Sequence, residues 1–202
     1  MKIEIMAATP NPMEVISRAA GTCYGKDDAP TKRVESCFRA GHMSVFEHAS
    51  VTFKVEGISR ACGNQLVRHR LASFCQESQR YCKVGTESDD WYVVPPSFGK
   101  ERRDWDDYTI DAKWFEDRVR DAGMFYLRAI DAGLRPEDAR YLLPEACKTK
   151  LTVTMNCREL FHFLDMRQQR AAQWEIRDMA DELERAVAGI DAQWGALVGF
   201  RR

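Results

Sequence analysis

The chain has 202 residues, 30 lysines and arginines against 31 acidic residues, and a net charge of −1. With 45% hydrophobic and 30% charged residues, it has the composition of one compact, core-forming domain, and wholesale disorder is excluded. Apolar runs fall far short of the ~20 residues that a membrane span needs.

The first expected element is a short strand at residues 2–5. Asn11-Pro12 then starts a helix that Gly21 ends, and Thr31 opens a second helix with Val34, Cys37 and Phe38 on one face, closed by Gly41. Residues 49–56 alternate, with Val51, Phe53 and Val55 on one side, and predict a half-buried strand. Ser59 caps a helix to about Val67. Gly85, Pro95, Pro96 and Gly99 make residues 83–104 mostly loop, with a short strand over 91–94. Apolar positions 105, 108, 112, 115, 119, 122, 126 and 130 predict one long amphipathic helix, its stripe facing the core or a partner subunit. Leu151, Val153 and Met155 form another strand. Asn156 and Glu159 resemble a capping box at the next helix start, and a last helix covers about 172–197. No linker or repeat is visible. The expectation is one α/β (α+β) domain over residues 1–202, a central, mostly antiparallel sheet flanked by helices.

Of the 30 cations, 21 are arginines, whose planar forks grip phosphate or carboxylate through two hydrogen bonds. Genome composition gives the same bias, so placement decides. A nonspecific nucleic-acid binder would carry a basic excess, and none is present. The densest polar segment runs from Gln65 to Tyr81. In an extended chain Arg68 and Arg70 project to one side and His69 to the other, and Ser78 and Arg80 project together. Such forks suit phosphates, and ordinary surface arginines on a solvated turn suit the same spacing. A second cluster holds Asn156, Arg158, His162 and Arg167, with 158 and 162 one helical turn apart at a helix start, where backbone N–H groups favour anions. A third is Gly41–His48, with His42, Glu47 and His48, which is not the H-E-x-x-H zinc pattern. All four histidines lie in these clusters, which suggests a shared polar cleft.

Glycine-rich nucleotide loops and the G-x-S-x-G elbow are absent. Cys75 and Cys82 flank the dense segment as possible thiol nucleophiles, with burial as small hydrophobes the favoured expectation. The seven cysteines are odd in number and form no C-x-x-C pair, so neither a disulfide framework nor a bound metal is expected. The N-terminus lacks a signal-like apolar segment, and a reducing cytoplasm is the expected setting.

Arg68-His69-Arg70 followed by seven residues and Ser78 resembles the R-H-R-x7-S signature of flavin-dependent thymidylate synthases. GHMSVFEH before the strand, Gln65 ahead of Arg68, Arg140 ahead of Leu-Leu-Pro, and the run from Asn156 through Arg167 to Q-W-E-I resemble the same family, over roughly residues 19–180. The resemblance implies reductive methylation of dUMP to dTMP, with methylenetetrahydrofolate as carbon donor, FAD as hydride carrier and NADPH as reductant. It also implies a homotetramer with FAD sites shared between subunits, and no DNA, RNA or membrane partner. By the same resemblance His42, Ser44, Arg68, His69, Arg70, Gln76, Asn156, Arg158 and His162 bind FAD. Gln65, Arg68, Gln76, Ser78, Gln79, Arg80, Arg140 and Arg167 bind the nucleotide substrate, and Arg167 is the catalytic residue that polarises the uracil. Gln76 stands where some members carry Glu. Glu77 replaces a commonly apolar residue and is expected to compete for Arg68 or Arg70. Cys23 replaces a usual Ser and receives no role. The competing reading from another class is a noncatalytic nucleotide- or RNA-binding domain, which would purify colourless rather than yellow.

Overall fold

The computed structural model describes residues 1–201. In chain order its elements are β1 (Lys2–Ala8), α1 (Pro12–Thr22), α2 (Thr31–Arg39), a 3-10 turn (Met43–His48), β2 (Ser50–Ser59), α3 (Arg60–Leu66) and β3 (Ser73–Gln76). Then follow β4 (Arg102–Arg103), β5 (Thr109–Ile110), α4 (Ala112–Asp131), α5 (Pro136–Ala139), β6 (Lys148–Asn156), α6 (Cys157–Arg167), α7 (Trp174–Ala188) and α8 (Ala192–Gly199). The mixed helix-and-sheet class agrees with expectation, with a four-stranded sheet in the order β1-β2-β6-β3. The chain forms two compact units, residues 1–56, 64–75 and 151–202 in the first, and 57–63 and 76–150 in the second.

In the first unit β1 pairs antiparallel with β2, Ile3 opposite Val55 and Ile5 opposite Phe53. A bulge at Met6 shifts the register and carries β1 on to Ala8, beyond the expected strand. Alternation in β2 and β6 turns Val51, Phe53, Val55, Leu151, Val153 and Met155 inward, as the period-two pattern requires. α6 buries Leu160, Phe161, Phe163 and Leu164, and packs against α7, which buries Ile176, Met179, Leu183 and Val187. Phe38, Phe46 and Phe161 form an edge-to-face trio with centroids 5.5–5.8 Å apart.

In the first unit two helix ends differ from expectation. Asn11 adopts a left-handed conformation (φ 48°) and its side chain caps nothing within α1; Gln193 Oε1 accepts from Met13 N–H instead, at 3.1 Å. The single helix expected over 172–197 is two, because Asp191 accepts from the N–H groups of Gln193 and Trp194 and starts α8 afresh.

The second unit has its own core of Trp91, Tyr92, Val119 and Cys147, with Phe115 and Leu143 against it. α4 starts at Ala112, not Trp105, since Asp111 accepts from Trp114 N–H at 2.8 Å and is the N-cap. Asp104 instead accepts from the N–H groups of Asp106 and Tyr108, folding 102–110 into the β4–β5 hairpin, which leaves Trp105 91% exposed. The remaining stripe positions, 112 to 130, are buried or half-buried, which favours the core reading of that face. The expected strand over 91–94 reduces to a single bridge, Tyr92 to Cys147.

Candidate functional site

Around Arg68 and Arg70 the dense polar segment is not extended, and within it only β3 is a strand. After α3 the chain closes successive turns, with Arg68 N–H donating to Gln65 O, His69 N–H to Leu66 O and Ala72 N–H to His69 O. The expected alternation survives the change of backbone: His69 is buried (5% exposed), and Arg68 and Arg70 are exposed. Neither arginine has an ion-pair partner among the described residues.

Asn156 Oδ1 accepts from Glu159 N–H at 2.9 Å and caps α6. The box is half made, because the Glu159 side chain turns away to His69. His69 Nδ1 lies 3.0 Å from Glu159 Oε1, and Arg167 Nε donates to His69 Nε2 at 2.9 Å. Arg167 Nη2 also donates to Gln65 O at 3.3 Å, so Gln65 is engaged through its backbone. The His69 ring packs edge-on to Phe163 at 4.9 Å and lies 5.6 Å from the His162 ring. Arg68, His69, Arg70, Arg158, Glu159 and His162 line one cavity of about 590 Å³. That size lies within the usual ~300–1,000 Å³ of ligand sites.

His69, Glu159 and His162 place ligand atoms within 4.8 Å of one another, a grouping that could hold a metal ion. Both His69 nitrogens are already hydrogen-bonded, and Arg68, Arg70 and Arg158 make the wall cationic. The arrangement favours an anion over a metal cation. His42 and Ser44 are exposed and are not among the residues lining this cavity; the 3-10 turn that follows His42 connects to it through Glu47, whose Oε1 accepts from Arg158 Nη1 at 2.5 Å.

Burial is the main force holding His69 below its ordinary pKa of 6.5; Arg167 and His162 act the same way, and the Glu159 hydrogen bond opposes them. Above pH 6.5 the folded and unfolded states are both neutral at this position. Below it the unfolded chain takes the proton first, so stability falls as pH drops from 6.5 toward the folded-state value, by at most about 1.4 kcal/mol per pH unit. Melting temperature should therefore fall less steeply on acidification in His69→Gln than in the unsubstituted protein. Parallel curves would show that His69 does not carry this titration.

Gln76, Ser78, Gln79, Arg80 and Arg140, expected at the nucleotide from the resemblance, lie in the second unit. Arg80 Nε donates to Glu137 Oε2 at 2.5 Å, and Arg140 Nε donates to the Glu137 carbonyl at 3.0 Å. Arg80 beside it holds the Glu137 carboxyl below its ordinary pKa, with Arg135 adding. Gln79 and Arg140 line a 260 Å³ cavity with Arg60, Tyr141 and Glu145. Arg60 was not singled out in the sequence; its signal was its place just after the Ser59 cap, whose Oγ accepts from Cys62 N–H. Ser78 is half-buried and begins a turn, with Tyr81 and Cys82 N–H donating to its carbonyl, so Ser78 and Arg80 are not on an extended stretch. Gln76 Nε2 donates to Thr149 Oγ1 at 3.3 Å.

Two expectations are corrected. Glu77 pairs with Lys150 at 2.7 Å rather than with Arg68 or Arg70. Cys75 and Cys82 are exposed, because they sit on a strand's outward side and in a turn; the buried cysteines are 62, 147 and 157. Burial pushes the Cys147 thiol up to about 11 and the Cys157 thiol up to about 12, which makes both inert at neutral pH.

Residues 4–191 match the family described as thymidylate synthase complementing protein. A curated relative from Geobacter sulfurreducens, named flavin-dependent thymidylate synthase, is 42% identical over 98% of this chain and 90% of its own length. One of the same name from Pyrococcus furiosus is 36% identical over 95% and 80%. Among solved structures, the Helicobacter pylori flavin-dependent thymidylate synthase complexed with FAD and dUMP shares the fold, with a TM-score of 0.77 at 24% identity over 98% of both chains. A UMP/dUMP methylase from Streptomyces cacaoi bound with 5-Br dUMP has a TM-score of 0.80 at 26% identity, over 98% of this chain and 94% of the other.

Proposed function

The chain belongs to the flavin-dependent thymidylate synthase family, and from that membership we propose that it converts dUMP to dTMP by reductive methylation with bound FAD. One observation carries the cofactor part: two exposed arginines without ion-pair partners among the described residues, Arg68 and Arg70, share a 590 Å³ cavity with Arg158 and His162. A flavin dinucleotide brings two phosphates, and guanidinium forks suit them. Asn156 orders the helix start beside these residues, and His42 and Ser44 complete the flavin contacts that the resemblance implies. Arg158 must leave Glu47 to reach a phosphate, an exchange of one exposed ion pair for a charge-assisted contact. Bound there and reduced by NADPH, the flavin would supply the hydride that reduces the transferred carbon to a methyl group.

The finer reading names methylenetetrahydrofolate as the source of that carbon and NADPH as the reductant of the flavin. Arg167 faces the uracil, where its guanidinium stabilises negative charge on the carbonyls and N3, and Gln65 lies beside it. Ser78 and Arg80 hold the nucleotide phosphate, and Gln76, Gln79 and Arg140 complete the nucleotide contacts that the resemblance implies. No metal and no cysteine nucleophile takes part. We further read the assembly as a homotetramer in the cytoplasm, with FAD contacts drawn from several chains, and the whole of residues 1–202 as one working domain. No helix among the described residues is long and apolar enough to cross a membrane.

The test is dTMP formation from dUMP, methylenetetrahydrofolate and NADPH by the yellow purified protein. Arg80→Ala should then weaken dUMP binding about tenfold or more, with FAD content nearly unchanged, since one charge-assisted contact is worth about 1.5–3 kcal/mol. Equal loss of both ligands would overturn the division of roles. The likeness to the Streptomyces cacaoi methylase favours UMP as a second substrate to assay. The two nucleotides differ only in the 2′-hydroxyl, so the ratio of their kcat/KM values decides between them.

A further inference from the structure

We propose that Glu159 is a positioning residue: it acts through His69 to hold the Arg167 guanidinium in one place and one orientation. The inference rests on the reading of Arg167 as the uracil-facing cation, and its geometry stands independently of that reading.

The direction of each hydrogen bond follows from chemistry. Arginine has N–H donors and no acceptor, so the 2.9 Å contact from Arg167 Nε requires a lone pair on His69 Nε2. A neutral imidazole with Nε2 bare carries its proton on Nδ1, and that atom faces Glu159 Oε1 at 3.0 Å. The carboxylate accepts there and fixes the tautomer. Were the proton on Nε2 instead, two N–H groups would point at each other. Glu159, His69 and Arg167 thus form a chain with one polarity.

Its anchors are stiff. The Glu159 and His69 side chains are 3% and 4% exposed. Glu159 sits in the first turn of α6 with its N–H held by Asn156 Oδ1, and the His69 ring rests edge-on against Phe163. Arg167 ends the same helix, so His69 bridges the first turn of α6 to its last. With Nε on His69 and Nη2 on Gln65 O, the guanidinium plane is set by two bonds and Nη1 remains for a ligand. Burying a carboxylate at 2% exposure carries a desolvation cost that core packing does not require, which fits a role in placing another group.

The experiment has two readouts on the FAD-loaded protein. Nitrogen-15 NMR of labelled histidine reports the tautomer of His69 in the absence of any nucleotide; the Nδ1–H form is expected, and the Nε2–H form overturns the proposal. Equilibrium binding of dUMP is then measured in Glu159→Gln, Arg167→Ala and the double variant. Glu159→Gln should weaken binding about tenfold with FAD retained, because its amide can present either a donor or an acceptor to Nδ1. In the Arg167→Ala background the same substitution should change binding little. An undiminished effect in that background, or none in the single variant, overturns the relay. If Glu159→Gln does not fold, Glu159→Asp, which keeps the charge and withdraws it by one carbon, enters the same cycle. Should Arg167→Ala alone leave dUMP affinity intact, the reading of Arg167 fails, and the tautomer measurement still judges the relay.

Discussion

Arg167→Ala will lower dTMP turnover about 10²–10³-fold while the protein stays folded and retains its flavin. That range is the one seen when a preorganised donor is removed from developing negative charge, about 3–4 kcal/mol of transition-state stabilisation. The preorganisation is visible in the structure: Nε is committed to His69 and Nη2 to the Gln65 carbonyl, so the group does not have to be ordered during the reaction. Arg167→Lys should recover little of the loss. An ammonium keeps the charge, but its single nitrogen cannot occupy the Nε and Nη2 sites together and still present a third donor. Steady-state rates at saturating dUMP, with single-turnover flavin reoxidation as the control for product release, make the comparison. A variant that keeps more than a tenth of the activity would remove Arg167 from the chemistry.

Much of this site was legible in the sequence because its residues lie in short runs with local rules. Asn156 and Glu159 are three apart, and the cap forms as the pattern requires. His69 lies between two arginines, and the chain turns the imidazole in and the forks out. What could not be read is which partner each charged side chain chooses, because the partners are remote in sequence. Glu47 on Arg158, Glu137 on Arg80 and Lys150 on Glu77 are separated by 111, 57 and 73 residues respectively. The expected competition between Glu77 and the Arg68–Arg70 pair failed for that reason. Glu159 was legible as a cap and not as an acceptor for His69, since nothing local distinguishes a capping glutamate that reaches back from one that reaches inward. The fold shows the same limit. Periodicity located β2, β6 and α4, and the start of α4 was misplaced because Trp105 and Tyr108 continue the apolar spacing by accident. Competing aspartates at 104 and 111 decided the boundary, through side-chain bonds to backbone N–H groups.

Phe163→Ala should cost about 3–5 kcal/mol of stability, the usual range for truncating a fully buried aromatic ring. Phe163 is completely buried on α6, and its ring supports His69 edge-on at 4.9 Å, so the substitution opens a void directly behind the imidazole. Leu183→Ala on α7, also completely buried, serves as the comparison, with an expected cost of about 2–5 kcal/mol. Both variants should melt at lower temperature and show earlier denaturant midpoints. Only Phe163→Ala should also reduce turnover per folded molecule at a temperature where both remain native, because only there does the void let His69 tilt and Arg167 lose its acceptor. Leu183 lies on α7, whereas the groups bonded to the guanidinium are His69 and Gln65. Equal turnover in the two variants, at matched folded fractions, would mean that the imidazole keeps its place without the ring behind it, and that Glu159 and Arg167 alone hold His69 upright.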